Sequence, residues 1–389
     1  AHAQGPRRPR GTSARVSGLV GSQGALRAAV VVGGALVVET GVLWAWRPLS
    51  ARRLARALFL AAVCAEVAAA GLVGFSGRVP VTNERWHERR GYHDHTLEAV
   101  QAIRAHDDGF SRVVKEYASS PARHASLDDG MVQGYRGTSS YTSFNQLDYI
   151  HFLTGVGVVS PDDETSTRWA AGVDGHPDLE ALVGVRWVLS RGPPKKHPGC
   201  DVRAQTGDVF VCEAADVVPL GARFDRVMTR ADFAALPAAA REAALLEAVV
   251  IDDGDADAFS ALARFAGPVD PTPAATSAAV GARRRGALRI VALDDEHIRG
   301  TADLDAAAVA FFAVPADPGW HCRVDDAVVP CRVVDFGLIG VPLAAGRHDV
   351  ELSYRVPWAR TGAATSALGV VAYAAFLLWS RRRRNRRRS

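Results

Sequence analysis

Three long apolar runs decide what this chain can fold into. Residues 27–46 read RAAVVVGGALVVETGVLWAW, residues 57–75 read ALFLAAVCAEVAAAGLVGF, and residues 361–380 read TGAATSALGVVAYAAFLLWS. Beyond Arg27 the first two carry one charge each, Glu39 and Glu66, and the third carries none. Each run approaches the ~20 residues that cross a ~30 Å hydrocarbon core at 1.5 Å per residue. Arginines flank all three, which a helix buried in a soluble core does not need. The expectation is an α+β membrane protein: three transmembrane helices plus an outer domain of mixed α/β and β-sandwich structure.

Charge predicts the orientation. Residues 381–389 hold seven arginines, and the connection between the first two runs holds Arg47, Arg52, Arg53 and Arg56. Positive flanks stay in the cytoplasm, which puts residues 76–360 outside. Arg7, Arg8, Arg10 and Arg15 in the N-terminal tail oppose this, but the C-terminal cluster is denser and closer to its span. The expected setting is a bacterial plasma (inner) membrane, multi-pass, with the large domain extracytoplasmic and the C-terminus cytoplasmic. The 46 basic residues include nine up to Arg56 and seven after Ser380. With Glu39 and Glu66 set aside, 30 basic and 40 acidic residues remain for the outer segment. That segment is acidic, so the net charge of +4 reports lipid-facing arginines and excludes a nucleic-acid partner.

Four of the five cysteines fall in the outer segment as two close pairs, Cys200/Cys212 and Cys322/Cys331; Cys64 lies in the second run and reads as an inert, buried thiol. Neither pair has the tight spacing of a zinc site, and local disulfides in an oxidising compartment are predicted instead. The outer segment begins with a pattern over residues 96–117 that puts Leu97, Val100 and Ile103 at helical spacing, with FSRVV in its second half as an alternative first strand. A short helix and strand follow over 179–190, then a hairpin between 201–203 and 209–212. An alanine-rich helix is predicted over 230–249, and residues 267–286 read as a Pro/Ala/Thr/Ser linker. Beyond it, short strands at 288–293, 297–304, 309–314, 321–324, 328–334 and 348–354 predict a sandwich. The resulting division is a basic tail (1–26), a helix pair (27–46, 57–75), an outer α/β domain (76–266), the linker, a β-sandwich (287–358), a final span (361–380) and a basic tail (381–389).

Five phrases in order resemble the YfhO-type family of bacterial membrane proteins: YRGTSSYTSFNQLDYIHFL at 135–153, LEALVGVRWVLS at 179–190, CEAADVVPLGARFD at 212–225, FFAVPADPGWHCRVDDAVV at 311–329, and VPLAAGRHDVELSY at 341–354. Each is weak alone, but their order and spacing agree over roughly residues 57–380. The resemblance implies the C-terminal part of a GT-C-type glycosyltransferase, which moves a sugar from a polyprenyl-phosphate donor to an envelope glycan or lipid. A many-helix catalytic core expected on the N-terminal side is absent from the chain as read. The implied role is therefore an outer acceptor- or glycan-binding domain; a non-enzymatic, membrane-anchored carbohydrate- or partner-binding module is the alternative. The implied partners are the bilayer and a polyprenyl-phosphate sugar or envelope glycan.

Glycosyl transfer needs a carboxylate to activate the acceptor hydroxyl, and a divalent cation often steadies the leaving phosphate in a full-length enzyme. Glu66 is the intramembrane acid matching an acidic family position, and competes with a plain helix-packing role; no other catalytic residue is assigned. Tyr135, Tyr141, Phe144, Asn145 and Trp320 are the glycan-binding candidates, with core packing as the competing reading. His93, Asp94 and His95, near His87 and His106, lack a third ligand, and DDGDAD at 252–257 lacks the remaining calcium-loop ligands. No metal or cofactor is assigned to this chain. Trp358, Trp44, Trp46 and Trp379 read as interfacial anchors.

Overall fold

A computed structural model describes residues 52–75, 93–107, 109–119, 123–142, 144–197 and 199–386. The chain divides into two units, Ala1–Trp86 and His87–Ser389. The described part of the first is one helix, Arg52–Phe75. Its described apolar stretch is Ala57–Leu72, within a helix that continues to Phe75. Cys64, expected to be buried, is exposed on it. Residues 27–46 lie outside the described residues. The second unit ends in the helix Ala359–Arg386. Its 25-residue stretch Ala359–Arg383 is long and apolar enough to span, and none of its apolar window packs against protein. Among the described residues, then, one helix and not three meets the requirement for a span.

Among the described residues, the rest of the second unit is built on three sheets and a two-stranded ribbon. The first sheet has the order β1 (Arg112–Lys115), β4 (Val185–Ser190), β6 (Val209–Glu213), β5 (Asp201–Thr206). β1 and β4 are parallel and the other pairs antiparallel. The ribbon joins β2 (Ser140–Tyr141) to β3 (Trp169–Ala170). The helix Thr96–His106 covers the first sheet, burying Ala99, Val100 and Ile103 at helical spacing.

The second sheet runs β10 (Ala263–Arg264), β8 (Arg226–Thr229), β9 (Val249–Ile251), β16 (Arg332–Val334), β17 (Leu338–Leu343), β13 (Ala308–Pro315), β7 (Ala222–Phe224). The third is antiparallel: β11 (Arg289–Leu293), β12 (His297–Leu304), β18 (Gly346–Tyr354), β14 (Trp320–Val324), β15 (Ala327–Val329). β13, AVAFFAVP, is buried on both faces. Its Val309, Phe311 and Ala313 enter the core beneath the helices, while Ala308, Ala310 and Phe312 enter the core shared with the third sheet. The period of two thus makes one strand serve two cores.

This arrangement departs from the sequence expectation in four places. The strands expected to form a sandwich over 287–358 are split between two sheets, because β13 and β16, with β17 between them, pair with β7 and β9 from upstream. The predicted strand 328–334 breaks at Pro330, and its halves, β15 and β16, join different sheets. The expected linker is largely the helix Pro273–Arg284, capped by the Thr272 side chain and burying Ala279, Val280 and Arg283. Alanines there are helix formers, and Pro273 sits where proline suits a first helical position. The alanine-rich stretch is likewise two helices, Arg230–Ala235 and Ala238–Glu247, with Pro237 between them.

Both predicted disulfides form, Cys200–Cys212 at the base of the β5–β6 hairpin and Cys322–Cys331 across β14 and the approach to β16. Their sequence separations are 12 and 9 residues, loops worth about 2–3 kcal/mol each by restricting the unfolded chain. Replacing both cysteines of either bridge by serine is expected to lower unfolding stability by that amount, read by urea denaturation. Cys212 and Cys322 are buried, so reductant is expected to act only after unfolding. Cleavage of both bridges by mild reductant in the folded protein would contradict this.

Candidate functional site

β1 and β4 run side by side in parallel, and their apolar residues are buried. Beside parallel strands, ligands bind in the crevice outside the carboxyl ends. Here the residues past both ends turn polar: Glu116, Tyr117 and Ser119 after β1, and Arg191, Lys195, Lys196 and His197 after β4. A cleft of about 460 Å³ opens at this place, its lining including Lys115, Glu116, Tyr117, Tyr135, Asp174 and Lys196.

One wall is a histidine held between two carboxylates. His197 Nδ1 lies 2.9 Å from Glu116 Oε1 and Nε2 lies 2.8 Å from Glu180 Oε2. All three side chains are largely buried, 11%, 8% and 7% exposed. Burial alone would lower the imidazole pKa, but the hydrogen bonds and charges of Glu180 and Glu116 outweigh it and raise it to about 9. Burial likewise opposes the Glu116 charge, yet N–H donors from Lys195, His197 and Lys196 hold its carboxyl below the usual range. Those same bonds, 2.9 Å from each of the two lysine amides, pin the loop after β4 to the end of β1. Glu180 Oε1 accepts the Gly175 N–H at 2.8 Å, and Lys196 Nζ bonds Asp174 Oδ2. Asp174, Glu180 and His197 each offer a ligand atom within 4.8 Å of the others; they are the described residues that could hold a cation.

A buried polar network forms the floor. Lys115 Nζ donates to Ser119 Oγ at 2.7 Å, to Gln133 Oε1 at 3.1 Å and to Asp129 Oδ2. Asp94 accepts from Thr96 N at 3.0 Å, Gln133 Nε2 at 3.1 Å, Ser119 Oγ at 2.6 Å and Arg191 Nη2 at 2.9 Å. Burial alone would raise the Asp94 carboxyl, but the bonds from Ser119 and Thr96 and the Lys115 charge hold it below its usual range. Burial lowers the Lys115 ammonium, with Asp129 and Asp94 opposing. Lys115 and Arg191 also lie over the Tyr117 ring, 4.9 and 4.5 Å from its centre.

Aromatic side chains stand on the ribbon beside the cleft. Ser139 and Ala171 line the cleft, and two register steps outward along the ribbon Tyr141 stands opposite Trp169. Their ring centres are 6.0 Å apart at 65°, an edge-on pair, yet they remain 37% and 39% exposed. Phe144, three residues beyond Tyr141, is 92% exposed. Asn145 braces this rim: its Nδ2 donates to Thr167 O at 2.6 Å and Arg168 O at 3.1 Å, and its Oδ1 accepts Ser140 Oγ at 2.8 Å.

Of the residues singled out by sequence, Tyr135, Tyr141, Phe144 and Asn145 thus lie in or beside one site. Burial, with the Asp129 charge adding to it, raises the Tyr135 phenol well above its usual value. Trp320 sits in the third sheet, edge-on to Tyr354 at 5.1 Å, where Gly319 lets that ring approach too closely for any Cβ. Glu66 is half-buried on the helix of the first unit. His93–Asp94–His95 is a turn leading into the helix Thr96–His106, and Asp94 belongs to the floor network. Sequence reading missed Trp169, Lys115, Asp129, Glu116, Asp174, Glu180 and His197. For Lys115 and Glu116 a signal existed, since VVKEY turns from apolar to charged at a strand end; for the others none did.

Two other cavities are less suited to a ligand. The larger, about 750 Å³, includes Arg186, Arg203 and Arg284, but Glu213 engages the first two and backbone carbonyls the third. The smaller, about 260 Å³, borders Arg112, whose guanidinium donates to Val183 O and Ala313 O.

Searches of curated proteins and of solved structures gave no match. The family model described as bacterial membrane protein YfhO matches residues 26–278 and 271–366, which include every residue of the cleft and of its aromatic rim. The chain therefore belongs to the YfhO family of bacterial membrane proteins.

Proposed function

We propose that the second unit is the outer, glycan-binding part of a YfhO-type glycosyltransferase, which presents an acceptor glycan or lipid-linked sugar at the β1/β4 cleft. The observation carrying this reading is the partly exposed Tyr141–Trp169 pair beside a cleft lined by Glu116, Asp174 and Lys196. An aromatic face packs against the apolar face of a sugar ring, and carboxylates and an ammonium bond its hydroxyls. The two disulfides support an extracytoplasmic setting for the unit. Transfer from a polyprenyl-phosphate donor and the cytoplasmic C-terminus belong to the same proposal.

The test is titration of the chain in nanodiscs with short hexose and N-acetylhexosamine oligosaccharides, followed by calorimetry. Trp169→Ala and Tyr141→Ala are each expected to weaken binding about 2–10-fold, the worth of one aromatic contact. Trp320→Ala is expected to lower thermal stability and leave the affinity of the folded protein unchanged. Absence of saccharide binding at millimolar concentration, or wild-type affinity in Trp169→Ala, would refute the reading.

A further inference from the structure

We propose that Asp174, Glu180 and His197 form a binding site for a divalent transition cation of the zinc class in the wall of the cleft, with Glu116 as the residue that orients the histidine. The inference does not depend on glycan binding.

Three observations carry it. First, one imidazole nitrogen and two carboxylate oxygens, from three separate segments, already lie within 4.8 Å of one another. Ligand atoms of a tetrahedral zinc site with ~2.0 Å bonds lie about 3.3 Å apart, so small side-chain movements suffice. His197 Nε2 and Glu180 Oε2, at 2.8 Å, need only separate slightly to take a cation between them. Secondly, the surrounding contacts resemble those that orient metal ligands. A ligating histidine commonly gives its other ring N–H to a carboxylate, which fixes tautomer and ring orientation. Glu116 Oε1 stands 2.9 Å from His197 Nδ1, and the Glu116 carboxylate is fixed by two backbone amides, Lys196 N on Oε1 and Lys195 N on Oε2. Glu180 Oε1 is held by the Gly175 amide, leaving Oε2 to face the cluster. Thirdly, Asp174 Oδ1 is shielded from solvent and has no hydrogen-bond partner among the described residues. A buried carboxylate oxygen without a partner is costly, and a cation would satisfy it.

The donor set selects the class of ion. One imidazole with two carboxylates suits zinc and its neighbours better than calcium or magnesium, which take oxygen ligands in larger number. Asp174 lines the cleft, so the fourth position would open toward it, to water or to a ligand oxygen. Lys196 Nζ bonds Asp174 Oδ2 and would compete with the cation for that carboxylate.

The experiment is titration of chelator-treated full chain in nanodiscs with zinc chloride, with bound metal counted by mass spectrometry of the acid-released ion. Wild type is expected to bind one zinc at micromolar or tighter Kd, with a rise in thermal midpoint on zinc addition. Asp174→Asn and Glu116→Gln are expected to weaken that binding at least tenfold, and His197→Gln to remove it. Lys196→Met, which removes the competing ammonium and no ligand, is expected to tighten it. Lack of a stoichiometric zinc in wild type, wild-type affinity in Asp174→Asn, or weaker binding in Lys196→Met would overturn the proposal. Should His197→Gln fail to fold, Asp174→Asn and Lys196→Met still decide. Saccharide titrations of Trp169→Ala read the glycan proposal separately, so either can fail alone.

Discussion

Asp335→Asn is expected to make the protein more stable at neutral pH and to remove a large part of its loss of stability between pH 4 and 8. Asp335 is fully buried in the turn between β16 and β17, where it and Phe336 both have positive φ, 48° and 70°. Its Oδ1 accepts the Val250 N–H at 2.7 Å, and its Oδ2 is buried without a partner among the described residues. Burial raises the carboxyl to about 8, with only the Val250 bond opposing. The folded chain therefore keeps this proton up to about pH 8, while an unfolded aspartate releases it near pH 4. Between those values the unfolded state binds fewer protons, and stability falls as pH rises. At ~1.4 kcal/mol per pH unit, the fall from pH 4 to pH 7 reaches about 4 kcal/mol from this one group. Asparagine keeps the acceptor for Val250, tolerates positive φ, and never ionises. Urea denaturation of the two proteins from pH 4 to 9 should give similar stabilities at pH 4, a widening gap up to pH 8, and a constant gap above it. Parallel curves would show that the carboxyl is not held neutral.

How far the sequence revealed the site depends on whether a signal was local. The disulfides were legible because each closes a short loop, and β12 was legible because HIRGTADL alternates between exposed and buried. Tyr141, Phe144 and Asn145 could be grouped from sequence because they sit within one short phrase. Trp169 was not, because it meets Tyr141 only through β2–β3 pairing across 28 positions. The His197 clamp brings together positions 116, 180 and 197, and no spacing rule relates them. The strands of the second sheet were hidden for a different reason. β7, β8 and β9 are three or four residues long, too short for a period to show, and pairing fixes them, β7 on β13, β9 on β16 and β8 on β9.

Removing the Lys115 ammonium is expected to be among the most damaging single changes in the second unit. The side chain is 4% exposed and Asp129, its partner, is fully buried. Asp129 Oδ1 has no hydrogen-bond partner among the described residues, so its charge depends on the contact through Oδ2. Ser119 N adds a bond to that oxygen at 3.2 Å, and Ser119 Oγ passes the connection on to Asp94 at 2.6 Å. Lys115→Met preserves most of the volume and leaves a buried carboxylate without its counter-charge, which costs about 3–5 kcal/mol. Asp129→Asn in the same background removes the stranded charge, and the double variant is expected to recover much of the loss, because exchanging a whole buried pair is far milder than breaking it. A double-mutant cycle by urea denaturation measures this coupling. A cost below about 1 kcal/mol for Lys115→Met would mean the network contributes little. The network ties the turn before Thr96, the end of β1, the helix Asp129–Gln133 and Arg191 after β4 into one unit. The single variant is therefore also expected to loosen the cleft, and saccharide affinity should fall with stability in Lys115→Met and return with it in the double variant.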